Sequence, residues 1–208
     1  MITNPDTNTE QTILEAAEKL FLEKGFALTS TTEIARVAGC NQALVHYYFR
    51  TKEKLFNSVF EKKARMIATG LFQADKPGAT FEEKLKLKIE AHFDMLLANP
   101  GLPFLFFNEL LTNPIRLRKL RETMSDVPRA IISPLKAELD AEIAKGNIRP
   151  ISVYDLLITI VSLNVMLFIA GPIFKIMADL NDEEITKLIE SRRQENVLII
   201  LRSLKNNI

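Results

Sequence analysis

Residues 29–55, TSTTEIARVAGCNQALVHYYFRTKEKL, constrain the fold of this chain more than any other stretch. Ser30 followed by Glu33 is a capping-box pattern, in which hydroxyl and carboxylate each satisfy a backbone donor at a helix start. A helix is therefore expected from near Ser30, with Ile34, Ala35, Val37 and Ala38 as its small apolar face. Gly39 ends it, because glycine enters the left-handed region without a Cβ clash. After a turn of a residue or two, Asn41 caps a second helix over residues 42–48, with Leu44 or Val45 and Tyr48 pointing inward. Thr51, Lys52 and Glu53 open the next helix. Two helices so short, joined by so small a turn, form a helix-turn-helix, which presents its second helix to a DNA major groove.

The chemistry of that second helix follows from its pitch. A step of 100° per residue places Gln42, Ala43, His46 and Tyr47 in one outward sector. Gln42 has the amide geometry for a bidentate contact to adenine, Ala43 fits a thymine methyl, and His46 can donate to a base acceptor or a phosphate. Tyr47 and Lys52 suit backbone contacts, Lys52 because it stands at a helix start where its charge and the free amides meet one phosphate. Thr29 and Thr31, at the preceding helix start, suit the same role. Charge supports a local patch only. The chain carries 27 Lys plus Arg against 26 Asp plus Glu, a net of +1, so it has no general attraction to polyanions. Residues 1–49 hold three cations against six carboxylates, whereas Arg50, Lys52, Lys54, Lys62, Lys63 and Arg65 face only Glu53 and Glu61 over residues 50–65.

The order Gly25-Phe26, Thr29, Ile34-Ala35, Ala38-Gly39, Tyr47-Tyr48-Phe49, Lys52 and Leu55 resembles the amino-terminal domain of tetracycline-repressor-like (TetR/AcrR) regulators over residues 9–67. Where such proteins commonly have Val-Ser after the turn glycine, this chain has Cys40-Asn41, and His46 takes an aromatic position. Those departures bear on base preference and leave the fold expectation intact. The resemblance implies an all-α protein with a three-helix DNA-binding domain at 7–67, its helix-turn-helix at about 30–49. A larger helical effector-binding and dimerisation domain would occupy 68–208. It further implies a ligand-responsive repressor that binds a palindromic operator as a homodimer. A physical argument agrees, since one helix-turn-helix reads too few base pairs for selectivity, while two related by a twofold axis read half-sites about a turn apart.

The rest of the chain reads as helices without strand signals. Ile13, Leu14, Ala17, Leu20 and Phe21 share one face of a first helix expected from a Thr9 cap to Gly25, with the residues before it mobile. A helix carrying Leu55, Phe56, Val59, Phe60, Ile67, Ala68 and Leu71 follows, up to a Pro77-Gly78 turn. Phe81, Leu85, Ile89, His92, Phe93, Leu96 and Leu97 line a helix ending before Asn99. A short aromatic helix spans 103–112. Asn113-Pro114 starts a basic segment whose Arg116, Arg118, Lys119 and Arg121 are expected as a solvated face, and another helix runs to about Lys145, with Pro128 and Pro134 in this region each starting or kinking a helix. A final helix runs from an Asn181-Asp182 cap to about Leu204.

Residues 156–174 contain no charge and approach a membrane-spanning length, but Thr159, Ser162, Asn164 and a break at Gly171-Pro172 dilute them. A helix apolar on all sides is also what a buried or dimer helix looks like, and no membrane partner is expected. The seam of the homodimer is placed on this helix, at 155–171, and on the final one. The lone Cys40 excludes an internal disulfide and fits a reducing cytoplasm, and residues 1–10 do not form a signal peptide.

For the effector, the resemblance implies an apolar cavity in the carboxy-terminal domain, accepting a small apolar or amphipathic molecule. Its candidate lining is His92, Phe93, Met95, Phe104, Phe107, Asn108, Asn164 and Phe168. His92 reads first as a hydrogen-bonded core histidine, and the phenylalanines as core packing, with a ligand contact as the alternative. No catalytic set, metal-ligand spacing or cofactor motif is found, so neither enzyme activity nor a cofactor is expected. The competing reading is a helical carrier or sensor of apolar molecules without DNA binding, motivated by the acidic first helix and the Cys40, Asn41 and His46 departures.

Overall fold

The computed structural model describes residues 5–70 and 78–206, and all its regular structure is helical. Packing divides the chain into two compact units: one of residues 1–65 with 105–120, the other of 66–104 with 121–208. The division differs from a single cut at 67/68, because residues from the middle of the chain complete the amino-terminal core.

In the first unit, α1 (Pro5–Leu28) is broken at Gly25, whose φ of 76° leaves the helical region. It begins four residues before the expected Thr9 cap. α2 (Thr31–Val37) and α3 (Gln42–Phe49) follow, joined through Gly39 at φ 67°, then α4 (Lys52–Gly70). Ser30 accepts from the Glu33 amide as expected, at 3.1 Å, but the Glu33 carboxylate pairs with Lys24 of α1, so only half of the capping box forms. Asn41 caps α3 by accepting from the Leu44 amide at 2.9 Å. Val45 and Phe49 are the buried side chains of α3, while Leu44 and Tyr48 are half-buried.

Ile13, Ala17, Leu20, Phe21, Ile34, Ala35, Val45, Phe49, Leu55, Phe56, Val59 and Phe60 form one core with Leu105 of α6 (Leu102–Thr112). The Phe60 and Phe106 rings stack at 4.3 Å. α7 (Pro114–Thr123) also packs here, and its basic run is not a uniformly solvated face: Arg116 is buried and ion-paired and Lys119 pairs with Glu61, while Arg118 and Arg121 stand in solvent. The reason is that Glu53 and Glu61 of α4 supply carboxylates that no local pattern in α7 reveals.

The second unit is built on α5 (Phe81–Ala98), which Thr80 and Glu83 open with a complete capping box. Gly78 turns at φ 79°, while Pro77 lies outside the described residues. A π-helical turn at Pro128–Ile132 precedes α8 (Ser133–Ala144), which has Pro134 in its first turn. α9 (Val153–Met177) starts at a Ser152 cap and does not break at Gly171-Pro172. Proline there removes one ladder donor, at a cost of about 3 kcal/mol in an ordinary helix interior, and the helix nonetheless runs on to Met177. α10 (Asp182–Ser203) starts at Asn181, again with a capping box. The core joins Leu85 and Ile89 of α5 to Leu135 and Leu139 of α8, Val153, Leu156 and Ile160 of α9, and Val197 and Ile200 of α10.

Candidate nucleic-acid interface

The turn between α2 and α3 leaves one sector of α3 in solvent. Gln42, Ala43, His46 and Tyr47 are all exposed, Tyr47 to 65%. The inward turn of Val45 and Phe49 forces this, since both fill the core beneath α2. Gln42 is not free to swing. Its Nε2 donates to Thr31 Oγ1 at 3.1 Å, and its Oε1 accepts from Thr32 Oγ1 at 3.3 Å, which ties the amide across to the start of α2. A pre-ordered amide loses less side-chain entropy on meeting a base edge. His46 Nδ1 lies 3.2 Å from the Arg50 carbonyl, which leaves Nε2 facing solvent. The Tyr47 and Tyr48 rings meet edge to face at 5.2 Å.

Two residues expected at phosphates are committed to the protein itself. Thr29 is buried, and its hydroxyl is within hydrogen-bond distance of the Leu20 and Gly25 carbonyls, closing the bend after α1. It is therefore a structural clasp. Lys52 donates to the Phe26 and Thr29 carbonyls, both at 2.8 Å, and its Nζ lies 4.2 Å from the Phe26 ring centre. An ammonium has three protons, so one remains for a phosphate. Lys63 is buried against Glu18, which removes one cation from the solvent-facing basic surface of α4 and its approach and leaves Arg50, Lys54, Lys62 and Arg65 exposed.

Arg36 was not among the residues expected here. Its side chain is 75% exposed on the outer face of α2, with only a 4.0 Å approach to Glu33. The helical step from buried Ile34 and Ala35 would have pointed to it. Arg50 closes α3 at φ 61°, a left-handed conformation that is uncommon for a non-glycine residue and that costs of order 1–3 kcal/mol. It too presents its charge beside the reading helix.

The eight candidate effector residues do not form one cluster. His92, Phe93, Asn164 and Phe168 come together: Asn164 Nδ2 lies 3.1 Å from His92 Nδ1, and the Phe93 and Phe168 rings are 5.4 Å apart. Met95 is half-buried and accepts from Asn99 through its carbonyl. Phe104 is exposed, and Phe107 and Asn108 are exposed in the other unit. A groove of about 790 Å³ in the second unit is lined instead by Thr80, Phe81, Lys84, Glu138, Glu142 and Ile148, among others. Burial holds the His92 imidazole at a pKa of about 4, so it is neutral near pH 7.

Residues 13–59 match the family of bacterial regulatory proteins of the tetR type. The chain is 27% identical over 137 residues to the fatty acid metabolism regulator protein of Bacillus subtilis, covering 66% of this chain and 69% of that one. It is also 27% identical over 141 residues to the transcriptional repressor NicS of Pseudomonas putida, covering 68% and 66%. A regulatory protein of the tetR family from Rhodococcus RHA1 shares the fold across 99% of this chain and 100% of its own, with a TM-score of 0.71 at 19% identity. These relatives are regulators rather than carriers or enzymes. With an exposed reading helix in the segment that matches the tetR family and a fold shared along the whole chain with a member of it, the protein is similar to TetR/AcrR regulators and is a DNA-binding transcriptional regulator.

Proposed function

We propose that the protein is a ligand-responsive repressor that binds a palindromic operator as a homodimer, acting in the cytoplasm where its operator lies. One observation carries the dimer. Tyr154, Ile158, Met166, Ile173 and Met177 recur at successive spacings of four, eight, seven and four along α9, and each is more than half exposed. An apolar stripe of that length is unfavourable in water. At about 1.5–3 kcal/mol per large side chain fully buried, covering it on two protomers is worth on the order of 10 kcal/mol before the cost of association. Leu198 and Ile199 of α10 extend the same kind of surface.

Substituting Ile158→Glu tests this. The variant should sediment as a monomer with unchanged helicity and bind DNA at least tenfold more weakly, whereas a dimer of wild-type mass would refute the α9 seam.

The effector is a small apolar or amphipathic molecule lodged in the second unit. The neighbouring Phe93 and Phe168 rings and the buried His92–Asn164 pair support a place there with apolar and polar character. The relative named as a fatty acid metabolism regulator favours an acyl chain, and the one named as a repressor favours repression. Effector and operator then weaken each other's binding by the same factor. Palmitate and palmitoyl-CoA are the probes to use: release of bound operator at micromolar probe supports an acyl effector, and unchanged operator affinity at saturation refutes it.

A further inference from the structure

Arg116 lies outside the segment that carries the helix-turn-helix, yet it is buried in the core of the same unit. Its guanidinium carbon sits 4.1 Å from the Phe26 ring centre and 4.3 Å from that of Phe56. Nε and Nη2 donate to the Glu53 carboxylate at 2.9–3.2 Å, and Nη1 pairs with the buried Glu109. Only arginine combines a planar face for two rings with a fork for two carboxylates.

We propose that Arg116 is a positioning residue for DNA reading: caged by the Phe26 and Phe56 rings and the Glu53 and Glu109 carboxylates, it fixes the bend at residues 25–29 and the start of α4, and through them the aim of α3. The path is continuous. Phe26 is held by Arg116 on its ring and by Lys52 on its ring and its carbonyl. Lys52 also grips the Thr29 carbonyl, and Thr29 closes back on Gly25. The next residues are the Ser30 cap and then Thr31 and Thr32, which hold the Gln42 amide of the reading helix. Glu53, the other end of the arginine fork, neighbours Lys52 at the start of α4. A buried ion pair is often no more stable than apolar side chains of the same volume, so what this one adds is direction.

The inference rests on DNA binding by this chain, and the test measures that in the wild type first. The full-length protein is compared with R116M/E109L, which fills the cage with apolar groups, with R116K, and with E53A, whose carboxylate is half exposed. Affinity is read on a duplex selected from a random pool and on a scrambled one. Tyr47 and Tyr48 lie on α3 and Tyr154, the third tyrosine, on α9, so a 3-fluorotyrosine ¹⁹F spectrum reports the reading helix against an internal reference.

R116M/E109L should retain helicity and dimer mass, lose at least tenfold in the ratio of specific to scrambled affinity, and move the Tyr47 and Tyr48 resonances while Tyr154 stays. R116K should recover part of the ratio, and E53A should lose about threefold. A folded R116M/E109L that keeps the ratio within twofold with unmoved resonances overturns the proposal. If that variant does not fold, E53A with a wild-type ratio overturns it. Absence of selective binding by the wild type overturns the regulator reading and this inference with it.

Discussion

Acidification should destabilise the protein through His92, and the polar chain around that residue fixes the direction. Arg192 can only donate, and it donates to Asn196 Oδ1. Asn196 Nδ2 donates in turn to Asn164 Oδ1 at 2.9 Å, which leaves Asn164 Nδ2 to donate to the Ile89 carbonyl and to His92 Nδ1. Nδ1 is therefore an acceptor and the imidazole is neutral. A proton there would set donor against donor in a dry interior.

The folded pKa of about 4 lies below the ordinary 6.5, so the unfolded chain binds the extra proton and stability falls as pH drops from 6.5 towards 4. Between pH 7 and pH 5 the loss is about 2 kcal/mol, or about 4–8 °C in Tm for a chain of this size. Asp182 and Glu142 have carboxyls held below their usual range by Lys175 and by Asn147 with Lys145, so their contributions fade only at lower pH. Urea unfolding of wild type and His92→Gln at pH 7 and pH 5, at one protein concentration, isolates the effect. The wild type should lose about 2 kcal/mol more than the variant. Parallel losses, or an NMR titration of His92 near 6.5 with exposed His46 as control, would refute the argument.

Other substitutions test the reading head. Gly39→Ala places a Cβ in open space at φ 67°, so its cost of about 1–2 kcal/mol is backbone strain alone and should appear as a lower urea midpoint with unchanged m-value. Gln42→Ala should change which bases a selection recovers while stability moves by less than about 1 kcal/mol, since its partners Thr31 and Thr32 lie near the surface. Lys52→Ala should weaken binding to every duplex and also destabilise the fold by about 1.5–3 kcal/mol, because two backbone carbonyls lose a charged donor. Wild-type stability in that variant would show the two bonds to be idle.

Where the determinants are local, the sequence was a good guide. Ser30, Gly39 and Asn41 punctuate two short helices, and the step of 100° between Val45 inside and His46 and Tyr47 outside follows from any helical wheel. Long-range partners were not legible. Thr29 is a clasp rather than a phosphate donor because the Leu20 and Gly25 carbonyls face it, and those are set by the kink at Gly25. Arg116 reads as surface because its rings and carboxylates lie on α1, α4 and α6, beyond the reach of periodicity. Pro172 looks like a stop, yet α9 continues to Met177, since proline removes a single ladder donor and that alone does not end a helix. The proposed effector lining mixes His92 and Phe93 with Phe107 and Asn108 for the same reason: shared apolar character does not say which residues fold into one unit.

Selection of bound duplexes from a randomised pool by the purified protein, with its mass in solution recorded in the same buffer, tests the central claim most directly. The account predicts a dimer and a palindrome whose half-sites are about one helical turn or slightly more apart, with affinity that falls steeply as salt rises. A folded protein that recovers no common sequence at low salt would contradict it.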